Sequence, residues 1–241
     1  MPSQLPTLSV PSYELALPST GKTIKYRPFL VKEEKILLLA MESEDPKEIE
    51  SAVKDTLKNC ILSRGIKIDN LASFDLEYIF LKIRSVSAGE DIKMRVTCID
   101  DGVTQVTVDI NIDDVQVQKP EGHTNKIILQ DDVGMIMKYP GIDQFIQITL
   151  LNKDLTTTDE LFVLIAKCVD QIFQGEEVWD AADMKLDQII TFLDGMTQQQ
   201  FEKVQQFFET MPVLKHELEV TNPNTGVTST YTLEGLQSFF G

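Results

Sequence analysis

Few side chains in this sequence have the type and spacing for chemistry. There are two histidines, His123 and His216, and three widely separated cysteines, Cys60, Cys98 and Cys168. A histidine next to a nucleophile serves as a general base, and clustered cysteines and histidines hold zinc. Neither spacing occurs here. No phosphate loop, dinucleotide glycine fingerprint, zinc-protease helix motif or nucleophile elbow is present. His123 falls in a polar loop flanked by Pro120 and Gly122, and His216 alternates with apolar residues on a strand pattern. The adjacent acids Glu33-Glu34, Asp113-Asp114, Asp131-Asp132 and Glu176-Glu177 are the remaining candidate metal ligands. They fall at helix starts and turns, where acids are favourable in any case, and the spacing of a calcium loop is missing. They read as solvated surface, and no cofactor is implied.

Charge narrows the partners. The 241 residues carry a formal net charge of −16. Residues 141–241 hold 16 acidic and 5 basic side chains, a net −11, against −5 for residues 1–140. Phosphate-backbone binding needs clustered Lys and Arg, so nucleic acid is disfavoured and a basic protein partner is compatible. Sparse cysteines in odd number argue for a reducing compartment. Cys60 and Cys168 fall on apolar faces of helical patterns, as small core residues. No signal peptide and no membrane-spanning segment is expected, because no apolar run reaches the necessary length.

The elements follow from periodicity. Residues 1–20, with four prolines, predict an extended arm or strand, and Thr23 to Phe29 a strand. Ile36 to Met41 predicts a buried helix. Asp45-Pro46 caps a second helix running to Gly65, and Leu71 to Val86 predicts a third. From Asp91 the period becomes two, with Asp101-Gly102 favouring a tight hairpin turn, and a second hairpin is expected over Lys126 to Lys138. After Pro140 a short helix is expected over Ile142 to Thr149, then helices over Thr158 to Phe173, broken by Gly175, and over Leu186 to Leu193. Thr197 and Gln200 have the form of a capping box for a helix that Pro212 stops. Leu214 to Val220, the turn Asn222 to Gly226, and Val227 to Leu233 predict a C-terminal hairpin. Leu236, Phe239 and Phe240 then supply an apolar end to the chain.

These elements describe an α+β protein, helical in its N-terminal and C-terminal parts around a central antiparallel β-hairpin region, with a further hairpin near the C-terminus. The expected division is 1–140, with the arm, helices and central hairpins, and 141–241, the acidic helical region with its hairpin. Glu176, Glu177, Trp179 and Asp180 are the candidate interface. They form either a docking segment for a basic surface or an ordinary solvated connection between two helices.

Several stretches together resemble the baseplate hub family of T-even-type contractile-tail bacteriophages. They are residues 17–30 (LPSTGKTIKYRPFL), 32–40 (KEEKILLLA), 135–140 (MIMKYP), 207–216 (FFETMPVLKH) and 233–240 (LEGLQSFF). The resemblance implies a hub subunit or hub assembly chaperone without catalysis. It implies other phage hub or tail proteins as partners, in the cytoplasm of the infected bacterium or in the virion tail baseplate. Members of that family resemble zinc-ribbon proteins at two Cys-x-x-Cys-Gly turns. Here the first reads Cys98 to Asp101-Gly102 and the second, after His216, reads Asn222 to Thr225-Gly226. Cys98, Asp101 and His216 are the vestigial ligand positions. With three of four thiolates replaced, the turns are expected to persist without a metal. The competing reading is a metal-binding module or metal-dependent enzyme, and a third is an adaptor directed at host proteins.

Overall fold

The computed structural model describes residues 8–43, 45–146, 158–235 and 238. The expected helix residue Thr149 and the apolar end residues Leu236, Phe239 and Phe240 lie outside them. The chain is an α+β mixture of helices and small antiparallel sheets.

The N-terminal part begins with a hairpin of β1 (Tyr13–Ala16) and β2 (Thr23–Tyr26). Three helices follow: α1 (Val31–Ser43), α2 (Pro46–Cys60) and α3 (Ser73–Ala88). Asp45 caps α2 by accepting from Lys47 N–H at 2.9 Å, and Pro46 occupies the first turn, where its missing N–H costs nothing. The α1 helix forms but is not the buried helix expected. Ile36, Leu38 and Leu39 are 50%, 60% and 54% exposed. An apolar run marks a helix but not which of its faces finds a partner, and here α2 covers only one side.

Two hairpins follow: β3 (Asp91–Thr97) with β4 (Gln105–Asn111), and, after the short β5 (Gln116–Gln118), β6 (Lys126–Gln130) with β7 (Val133–Met137). Beyond Pro140 come α4 (Ile142–Phe145) and α5 (Thr158–Lys167). The helix expected to reach Phe173 stops at Lys167, and β8 (Val169–Gln174) pairs antiparallel with β7. Apolar residues at 169, 172 and 173 suit either period, and the neighbouring strand decides between them. Gly175, expected as a helix breaker, is instead the left-handed residue (φ +59°) of a turn into β9 (Glu177–Asp180). The chain closes with α6 (Leu186–Asp194), α7 (Gln198–Glu209), and the hairpin of β10 (Val213–Thr221) and β11 (Thr228–Glu234). The capping box of α7 is present: Thr197 accepts from Gln200 N–H, and the Gln200 side chain accepts from Thr197 N–H at 2.8 Å.

Two apolar clusters hold these elements. One gathers Leu57, Leu76, Ile79, Ile83, Ile112 and Leu214 between α2, α3 and the N-terminal hairpins. The other lies between the sheet β6-β7-β8-β9 and helices α5, α6 and α7, around Met135, Val169, Ile172, Leu193, Val204 and Phe207. The C-terminal stretch spans both, since α7 packs on the second cluster while β10 sends Leu214 into the first.

Candidate functional site: two joined hairpin tips and an acidic edge strand

The turn between β3 and β4 is wider than the tight turn expected. Cys98 N–H donates to Thr104 C=O at 2.7 Å, and Gly102 N–H donates back to Cys98 C=O at 2.9 Å. The turn between β10 and β11 repeats this form, with Asn222 N–H to Val227 C=O at 2.9 Å and Gly226 N–H to Asn222 C=O at 2.8 Å. Gly102 (φ +67°) and Gly226 (φ +75°) occupy equivalent left-handed positions, which explains why both turns keep glycine.

The two tips are bonded to each other. Asn222, 1% exposed, directs Nδ2 at Asp100 Oδ1 (3.0 Å), Asp100 Oδ2 (3.1 Å) and Asp101 Oδ2 (2.9 Å). The Thr225 hydroxyl donates to Asp100, and Asn224 Nδ2 donates to Thr104 Oγ1 at 2.9 Å. Tyr231 closes the side of the junction, donating to Thr97 C=O at 3.0 Å and accepting from Ile99 N–H at 2.8 Å. The Thr225 hydroxyl and then the Asn222 amide hold the Asp100 carboxyl below the usual range. Donation from the Thr104 hydroxyl, and from the Val103 and Thr104 N–H groups, does the same for Asp101. Burial and the neighbouring Asp100 and Asp101 push the Cys98 thiol up. Cys98 and Asp101 therefore share one turn with Asn222 and Thr225 opposite. His216 is elsewhere: it pairs with Leu233, six residues along β10 from Asn222, about 20 Å at strand rise. Among the described residues no group of three or more His, Cys, Asp or Glu side chains is arranged to hold a metal ion. What the junction does is fasten two distant hairpins through hydrogen bonds between oxygen and amide groups.

The other titratable candidates are held in the fold. His123 Nδ1 lies 3.0 Å from Thr210 Oγ1 and Nε2 2.9 Å from Tyr139 Oη, and its ring packs on Phe207. Burial, with Lys119 adding to it, lowers its pKa. Cys60 and Cys168 are buried, and burial raises their thiols to about 11 and about 12. Glu33, expected as solvated surface, is instead 1% exposed and bonded to Arg27 Nη2 at 2.9 Å, a partner that the sequence pattern did not indicate. Asp75, fully buried on α3, accepts from Ser19 N–H at 3.0 Å and from the Ser19 hydroxyl, tying the N-terminal hairpin loop down. Beside Ser19 lies an open cleft of about 730 Å³, lined by Asn70, Asn125, Tyr139, Asp143 and Asp170.

The candidate interface residues do come together, but on a strand rather than between helices. Gly175-Glu176 is the turn, and Glu177, Val178, Trp179 and Asp180 are β9, the outermost strand of its sheet. Val178 is 54% and Trp179 42% exposed. The turn between β6 and β7 adds Asp131 and Asp132 at the same end of the sheet, with Gly175 N–H donating to Asp132 C=O at 3.0 Å. No helix among the described residues is long and apolar enough to cross a membrane.

A family model described as "T4 bacteriophage base plate protein" matches residues 10–241. No curated protein and no solved structure shows significant similarity. The match covers nearly all of the chain, both joined tips and the acidic hairpin included, and the chain belongs to the T4 bacteriophage base plate protein family.

Proposed function

We propose that the chain is a subunit or an assembly chaperone of the central hub of a phage tail baseplate, and that it acts through protein–protein contacts without catalysis. The family match over residues 10–241 carries this reading. The surfaces support it. An exposed strand bearing Trp179 and Val178 sits beside Glu176, Glu177, Asp131 and Asp132, while the polar groups at the hairpin tips are taken up in fastening the fold. The acidic hairpin docks a basic patch on another hub or tail protein. Acid groups speed encounter with an opposite charge, and the exposed aromatic anchors the complex. The protein works in the cytoplasm of the infected bacterium and, as a subunit, in the virion tail.

Mass spectrometry of purified particles beside an affinity pull-down from infected cells tests this. A fixed stoichiometry in particles marks a subunit. Capture of hub proteins by a chain missing from particles marks an assembly chaperone. Capture of host proteins alone sinks the hub reading.

A further inference from the structure

The two edges of the four-stranded sheet differ. Along β6, the Lys203 Nζ of α7 donates to the carbonyls of Ile128 and Leu129 at 2.9 and 3.1 Å, and the strand itself carries Lys126. At the other edge, all four residues of β9 are exposed, with no lysine, no proline and no bulge in the pairing to β8. Those are among the devices that keep an edge from accepting another strand; β9 is short and carries Glu177 and Asp180 instead, which repel all but a basic partner. In an antiparallel ladder every second residue turns its N–H and C=O away from its neighbour, so β9 offers backbone groups along its outer side.

The side chains of β9 specify what fits there. Successive residues alternate between faces, placing Glu177 and Trp179 on one and Val178 and Asp180 on the other. Each face therefore offers one acid and one apolar group. Opposite charges and apolar pairs across neighbouring strands are both favourable. The complement of the Glu177–Asp180 order, acid-apolar-apolar-acid, is basic-apolar-apolar-basic in either strand direction. Asp131, Asp132 and Glu176 add the same sign of charge at the sheet end.

We propose that β9 is the docking edge for an extended segment of another protein in which lysine or arginine flanks two apolar residues, and that this segment adds a fifth strand to the sheet. The proposal rests on the acidic hairpin being the docking site, as read above. A second copy of this chain is not the occupant, because no extended, unpaired stretch among its described residues places two apolar side chains between two basic ones. The nearest are Lys22 to Lys25 and Arg64 to Lys67. Ile24 is fully buried and its strand is already bonded to β1 and, through Lys25 C=O, to Leu62 N–H, while Arg64 to Lys67 turns at Gly65 (φ +80°) with Ile66 packed against the first cluster.

The probe is a capped hexapeptide, threonine-lysine-valine-valine-arginine-threonine, titrated into the isotope-labelled full chain and followed by NMR up to about 1 mM. Shifted resonances and slowed amide exchange are expected over residues 177–180. The double variant Glu177→Lys, Asp180→Lys should weaken binding about tenfold, and N-methylation of both valines, which leaves every charge in place, should abolish it. Equal binding of the methylated peptide overturns strand addition and leaves acidic docking standing. Failure of both peptides to perturb β9, or undiminished binding by the double variant, overturns both readings.

Discussion

Asn222 Nδ2 lies 3.0 Å from Asp100 Oδ1 across 122 residues of sequence. The pair joins the tips of two hairpins whose strands belong to different sheets. With Asp101 and Thr225 it makes a junction in which one amide bonds both aspartates, so that its loss weakens the hold on both tips at once.

The junction should loosen in acid. Thr225 and Asn222 depress the Asp100 carboxyl, and Thr104, Val103 and Asn222 depress that of Asp101. A depressed folded-state pKa contributes stability that is present above the unfolded value of about 3.9 and lost as pH falls through and below it. Amide exchange over residues 98–104 and 222–227, taken relative to the intrinsic rate at each pH, should therefore accelerate together below about pH 4. Asn222→Ala should produce the same joint acceleration at neutral pH. If only one turn responds, the two are not coupled.

Arg27 and Glu33 form a second junction, between β2 and α1. The pair spans 2.9 Å, and Glu33 also accepts Leu30 N–H at 2.8 Å. Burial pushes the Glu33 carboxyl up, but Arg27 and the Leu30 amide outweigh it and leave the group below its usual range. Arg27→Ala leaves a buried carboxylate with only the Leu30 N–H and the exposed Lys32 Nζ at 3.5 Å, and should cost roughly 3 kcal/mol in denaturant unfolding at pH 7. The loss should shrink as pH falls toward about 4, where protonation relieves the stranded charge.

The weight of α7 falls on Phe207. It is 2% exposed and stacks on Tyr139 at 5.5 Å, which meets Phe74 of α3 edge-on at 4.9 Å. Phe207→Ala should cost ~3–5 kcal/mol. Phe208, only partly buried and edge-on to Phe207, should cost less. Equal losses in thermal unfolding would reverse that assignment.

Gly134 has no room for a side chain. A Cβ there would meet Phe173 Cζ at 2.4 Å and the Ile127 carbonyl at 2.5 Å. Gly134→Ala should destabilise by about 1–3 kcal/mol. Adding Phe173→Ala should not restore the loss, because the backbone contact persists. Full recovery of the melting temperature in the double variant would show that the ring alone set the limit.

The sequence disclosed elements whose signals are local. Asp45-Pro46, Thr197 with Gln200, and the period-two runs around Gly102 and Gly226 form as expected, because a cap or turn is decided within a few residues. It misled where a neighbour decides. Val169 to Phe173 became strand because β7 lies beside it, and Ile36, Leu38 and Leu39 stayed exposed because nothing among the described residues packs over them. At the site, the resemblance pointed to Cys98, Asp101, Asn222 and Thr225. Asp100 carries more of the junction than Cys98, and no local pattern distinguishes a turn aspartate that reaches a second hairpin.

The acidic hairpin makes a kinetic demand on any hub protein that binds it. Residues 141–241 carry a net −11, and Glu176, Glu177 and Asp180 sit on its exposed edge with Trp179 and Val178 between them. Long-range charge acts on encounter, whereas desolvated aromatic contact acts on dissociation. Replacing Glu176, Glu177 and Asp180 with neutral residues should slow association with the captured partner and flatten its dependence on salt, with dissociation little changed. Trp179→Ala should leave association near the parent rate and speed dissociation, by about tenfold for each 1.4 kcal/mol of anchor lost. Surface-immobilised partner and a salt series separate the two rates. If both variants associate and dissociate as the parent does at every ionic strength, the hairpin is not where the partner docks.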